Sequence, residues 1–202
     1  MGDPLPPVLA RMKQLGHEVF ESGAYNLNLF GIRSPDPTSN SFDDLLGCAY
    51  RETSDGPWRV DFWKATTDPG VYYREHPMRV EGTAILVPGQ YRGAYELGLH
   101  RGEYEALVQT GGPVKVWRDS NCDDVLDWSG DEHSGWYGIN LHASARNSTG
   151  TASSSRVDRW SAGCQVHGTQ RGFDGMMRLA HAQVEAHPTW TRFTYTLLTR
   201  WW

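Results

Sequence analysis

The sequence predicts a mainly β protein, a sandwich or barrel with short helices flanking it near the N- and C-termini. Three observations predict it. Short apolar runs recur with turn residues between them, such as Ser54-Asp55-Gly56-Pro57, Asp68-Pro69-Gly70 and Pro88-Gly89. Nine Trp and nine Tyr among 202 residues favour strands, where aromatic rings pack on a pleated surface. Only two stretches carry apolar residues at helical spacing.

In chain order, Pro7 to Glu21 places Val8, Leu9, Met12, Leu15 and Val19 on one helical face, and Gly23 fits its end. Residues 1–24 therefore read as a helical extension packed on the body, which spans 25–202. Strands are expected at Tyr25–Ile32, Leu45–Arg51, Trp58–Lys64, Gly82–Val87, Tyr91–Leu99, Ala106–Gln109 and Val114–Trp117, and a strand-like run ends at His142. Asn147–Ser155 has the composition of a mobile loop. Gly172–Ala186 is a second helix, stopped by Pro188, and Thr189–Leu198 alternates as a closing strand. No internal repeat or linker divides the chain.

The bulk chemistry excludes several functions. Net charge is −5, with Lys and Arg scattered, so no basic field would attract nucleic acid. No apolar stretch is long enough for a transmembrane helix. The N-terminal residues lack the apolar core of a secretory signal, so the expectation is synthesis in the cytoplasm and action on a target after release or injection. Cys48, Cys122 and Cys164 are odd in number and irregularly spaced, which suggests neither a disulfide framework nor a zinc site.

The chemistry-bearing segments are Tyr137-Gly-Ile-Asn-Leu-His142 and Trp160-Ser-Ala-Gly-Cys-Gln-Val166. A thiol needs a nearby base to become a nucleophile near neutral pH, and Gly163 permits a tight turn that leaves amides free for an oxyanion. His142 precedes Cys164 by 22 positions, the reverse of the papain order. An active Cys164 is expected to titrate below an ordinary thiol. Cys48 sits in a strand-like run and reads as buried.

This histidine, loop and Ser-x-Gly-Cys pattern resembles the L,D-transpeptidase (YkuD-like) catalytic domain, in a divergent, phage-type form. Ala65–Gly70 and Thr83–Tyr91 resemble that family's Thr-Pro-x-Gly-x-aromatic stretch, and the resemblance covers roughly Tyr25 to Val166 in element order. It implies an L,D-transpeptidase-like β-rich fold in the body and peptidoglycan stem peptides as the substrate. No cofactor is required. It implies Cys164 as the nucleophile, His142 as the base, and Ser161 and Gly163 in the nucleophile turn, with Ser161 or a backbone carbonyl orienting His142. Resolution of the thioester by water or by an amine stays open, with a lytic, endolysin-like wall hydrolase as the narrower expectation. Ala162, Val166 and Ala143 depart from the family's usual residues, and Ala162 and Val166 motivate an alternative, a non-catalytic wall-binding or virion domain keeping the fold.

Tyr91, Arg92 and His100 form a second cluster, and Tyr137 and Trp160 flank the catalytic segments. All five are candidate substrate-binding residues. Asp119, Asn121, Asp123 and Asp127 alternate like the start of a calcium loop, without its glycine at position six or its acid at position twelve, which makes a structural Ca²⁺ site a candidate.

Overall fold

A computed structural model describes residues 3–199; the outermost residues of both expected segments, 1–2 and 200–202, lie outside it. The elements are α1 (Pro7–Gln14), β1 (Asn28–Ile32), β2 (Asp44–Arg51), β3 (Trp58–Thr66), α2 (Val71–Glu75), β4 (Thr83–Leu86), β5 (Gly89–His100), β6 (Tyr104–Val108), β7 (Val114–Asp119), β8 (His133–Gly135), β9 (Leu141–Ala143), β10 (Gln165–His167), α3 (Gln170–Ala186) and β11 (Arg192–Leu198).

Eight strands close into a barrel in the order β1-β11-β5-β6-β9-β10-β3-β2, and β4-β7-β8 form a separate three-stranded sheet. Closure leaves the barrel without free edges. The chain is thus mainly β, with short helices beside the sheets. Most neighbours are antiparallel, but β1 pairs with β11 and β9 with β10 in parallel. A parallel pair needs a long crossover, and the β9–β10 crossover is residues 144–164, the segment between the two chemistry-bearing runs.

The helices pack as their spacing requires. Val8, Leu9 and Met12 of α1 cover Phe30, Ile32, Ala49 and Leu198. α1 ends well before Glu21, because Gly16 takes a left-handed φ of +77° that stops the helix. Phe173, Met176, Met177, Leu179 and Ala180 of α3 join the main core with Leu46, Tyr95, Leu107 and Tyr195. Thr169 caps α3 by accepting from the Gly172 amide at 3.1 Å.

Three expectations are corrected. Residues 137–140 are not strand, and β9 begins only at Leu141. The backbone amides of Tyr137 and Ile139 are taken by the Gln109 side chain instead of a neighbouring strand. α2 and β8 escaped the sequence pattern because each is five residues or shorter. The loop expected to be mobile is tied down: the Ser154 amide donates to Gly168, and Asn147 Oδ1 accepts from the Thr149 and Thr151 amides.

Candidate active site

The parallel register sets the site. Val166 lies opposite His142 and Gln165 opposite Leu141, with the Gln165 amide donating to the Asn140 carbonyl at 2.9 Å. Cys164 therefore enters β10 beside the start of β9, two positions from the level of His142.

The turn before Cys164 is built by Ser161 and Gly163. Ser161 is fully buried, donates through Oγ to the Cys164 carbonyl at 2.8 Å, and accepts from the Gly163 amide at 3.1 Å. Gly163 has φ +122°, and a side-chain carbon there would sit 2.3 Å from the Ala84 carbonyl oxygen. Only glycine fits both conditions. Ser161 thus shapes the nucleophile turn and does not orient His142. Of the expected oxyanion donors, the amide of Cys164 with that of Gly163 or a neighbour, the Gly163 amide is already engaged by Ser161.

His142 is buried, and its Nδ1 lies 2.9 Å from the Ala143 carbonyl. A carbonyl only accepts, so Nδ1 carries the proton and Nε2 keeps its lone pair. That is the tautomer a general base needs. Tyr104 reinforces it. Its hydroxyl donates to the same carbonyl at 3.2 Å and lies 3.5 Å from Nδ1, while Arg146 sits 4.3 Å over its ring. Sequence reasoning missed Tyr104, because only the β5-β6-β9 order brings it to the histidine. On the other side His100 stacks on His142, with centroids 4.1 Å apart and planes 21° from parallel.

The titration directions follow from burial. His142 is held down to about 3, first by desolvation and then by His100, with the Ala143 hydrogen bond pulling the other way. Burial pushes the Cys164 thiol up to about 11, against the Asn140 backbone amide and the Arg101 charge, which lower it. This reverses the expected low-titrating thiol. The Cys164 thiol donates to the Gly138 carbonyl at 3.4 Å, and no hydrogen bond joins it to His142 among the described residues. A raised thiol and a lowered imidazole leave both groups neutral near pH 7.

A cleft of about 500 Å³ opens onto Cys164, lined also by His100, Asn140, Tyr137 and three arginines, Arg79, Arg101 and Arg118. No carboxylate lines it. Arg118 lies 4.9 Å over the Tyr137 ring and donates to the Gly82 carbonyl at 3.1 Å, so Tyr137 is a fixed wall. Of the five expected binding residues, this cleft contains His100 and Tyr137. Trp160 lines a separate groove with Tyr104, Ala143 and Arg146. Arg92 belongs to another groove, with Phe20, Trp190 and Arg192. Tyr91 is buried, and its hydroxyl donates to the Val87 and Lys115 carbonyls, pinning the small sheet to the barrel. Strand alternation cannot say which face of β5 meets a cleft, and the left-handed Gly93 (φ +59°) breaks that alternation midway.

In the acidic loop, Asn121 accepts from the Asp123 amide, Asp123 accepts from the Val125 amide, and Asn121 donates to Asp127 at 3.2 Å. Asp119 is fully buried with neither carboxylate oxygen hydrogen-bonded, and burial with Asp127 and Asp123 nearby pushes it up to about 6. Among the described residues, no three His, Cys, Asp or Glu side chains converge as a metal cage. No described helix is long and apolar enough to cross a membrane.

Comparisons with protein-family models, curated proteins and solved structures find no match.

Proposed function

We propose that the protein is a cysteine-dependent enzyme acting on peptidoglycan stem peptides, of the L,D-transpeptidase kind. The observation that carries this reading is the tautomer of His142, with Nδ1–H on the Ala143 carbonyl and Nε2 unprotonated, on the strand beside Cys164. In the proposed step the Cys164 sulfur adds to a stem-peptide carbonyl and its proton passes to His142 Nε2. The tetrahedral adduct collapses as the amine leaves with that proton, and a thioester remains. Water resolves the thioester as a hydrolase, and a second stem's amine resolves it as a transpeptidase. Release of trimmed or cut stems is the outcome we favour.

Purified sacculi incubated with wild type and with Cys164→Ala test the proposal. Muropeptide mass spectrometry is expected to show new fragments with wild type that fall by about 10³-fold or more in the variant. No change with either protein across several wall types would refute it. The raised thiol and the missing thiol–imidazole hydrogen bond favour a second reading, a wall-binding or virion domain that keeps the site without using it. That reading predicts sedimentation with sacculi and no new muropeptides.

No cofactor enters the proposed reaction. A structural Ca²⁺ at Asp119, Asn121, Asp123 and Asp127 is a subsidiary proposal, supported by the unpartnered Asp119 carboxylate. Millimolar Ca²⁺ is expected to raise the melting temperature of wild type and not of Asp123→Asn. An identical curve with Ca²⁺ and with a chelator would remove the ion from the account.

A further inference from the structure

Two hydrogen bonds fix the chemistry of the second histidine. The Gln109 backbone amide donates at 2.9 Å to the Asn140 side-chain oxygen. A backbone amide can only donate, so the atom it meets is Oδ1 and the other is Nδ2. That Nδ2 lies 3.0 Å from His100 Nδ1. An amide NH₂ can only donate, so His100 Nδ1 accepts and carries no proton. The proton of His100 is therefore on Nε2. Protonating Nδ1 as well would set two donors face to face, which disfavours the imidazolium.

The surroundings agree. His100 is buried, with His142 stacked on it and Tyr104 5.6 Å away between ring centroids. Burial lowers the ring's proton affinity first, the Arg101 charge lowers it further, and Glu103 acts the other way. Cys164 shares the same cleft. His100 lines that cleft, and among the described residues its Nε2 has no hydrogen-bond partner. The Gly163 amide, one of the expected oxyanion donors, is spent on Ser161.

We propose that His100, locked by Asn140 as the neutral Nε2–H tautomer, is a substrate-binding donor that holds the oxygen of the acyl group attacked by Cys164. This rests on the proposed function for its ligand, while the lock itself rests on the hydrogen bonds alone. Asn140 is the positioning residue and acts through His100. His142, with its proton on Nδ1, and His100, with its proton on Nε2, are thus stacked rings of opposite tautomer, the first buried and the second lining the cleft.

Long-range ¹H–¹⁵N spectra of the whole labelled protein read the lock directly. His100 is expected to show a bare Nδ1 and a protonated Nε2, unchanged from pH 8 to pH 5. Asn140→Leu, which removes the amide donor, is expected to let His100 titrate. A His100 in the Nδ1–H form, or one that titrates near 6.5 in wild type, overturns the lock. The donor role is read with His100→Phe, which keeps a stacked ring and loses the N–H. Turnover of sacculi is expected to fall about 10²-fold, with Cys164 alkylation changing less than threefold and His100→Gln restoring part of the loss. Unchanged turnover in His100→Phe overturns the donor role. Absence of Cys164-dependent turnover in wild type is a different failure: it removes the proposed function and with it the ligand, while the nitrogen shifts still decide the lock.

Discussion

Two buried polar clusters sit in this barrel, and they differ in what their atoms have left to do. In one, Arg33 just after β1 lies 3.0 Å from Asp68 and donates to the Thr67 and Leu86 carbonyls, while Asp44 accepts from the Ser34 and Thr67 amides and the Thr67 hydroxyl. Its charges compensate one another, and its donors are aimed at backbone. In the other, Cys164 and His100 line a cleft and His142 lies buried against His100, with none of the three in an ion pair among the described residues. The comparison teaches that burial of polar groups does not mark a functional site. Uncommitted valence beside a cavity does.

The largest expected effect is on the first cluster. Arg33→Ala leaves Asp44 and Asp68 buried without their cation and is expected to cost about 3–5 kcal/mol of stability. Urea unfolding measures it, and a loss under 1 kcal/mol would show that the ion cluster does not hold the barrel. A smaller, pH-dependent effect separates the clusters further. Burial and the neighbouring Asp68 push Asp44 up to about 7. A carboxyl whose folded pKa lies above its unfolded value contributes stability that is full below the unfolded value, near 3.8, and lost as pH rises through about 7. His142 and His167, both held down to about 3 by burial, act in the opposite sense: their contribution is full above 6.5 and is lost as pH falls toward 3. Asp44→Asn is therefore expected to flatten the loss of melting temperature between pH 5 and pH 8 and to leave the acid limb alone. Parallel curves for variant and wild type would place the alkaline loss elsewhere.

The sequence made the mainly β class, the longer strands and the Cys164 turn legible, because each depends on residues close in the chain, while sandwich and barrel stayed undivided. Gly163 and Ser161 announce their turn within four positions, and α3 shows its apolar face in its spacing. His142 was singled out by chain order and by the family resemblance, and the strand register places it on β9 beside β10. What stayed hidden depends on register across strands. Tyr104 on β6 and Asn140 just before β9 reach their histidines across the sheet, and nothing local distinguishes them. Arg92 and Tyr91 were misplaced for the same reason, since the face of β5 is set by its neighbours and by the break at Gly93. The direction of the Cys164 shift was hidden too, because it follows from burial, which short motifs do not encode.

The central claim is that Cys164 gains its reactivity from His142 and not from a low thiol pKa. The rate of Cys164 alkylation by iodoacetamide, followed by peptide mass spectrometry in wild type and His142→Ala, tests it most directly, with exposed Cys122 as the internal reference. The account predicts a fall of about 10²-fold or more at Cys164 near pH 7.5 and no change at Cys122. Equal Cys164 rates in the two proteins would contradict it and leave His142 a packed core histidine.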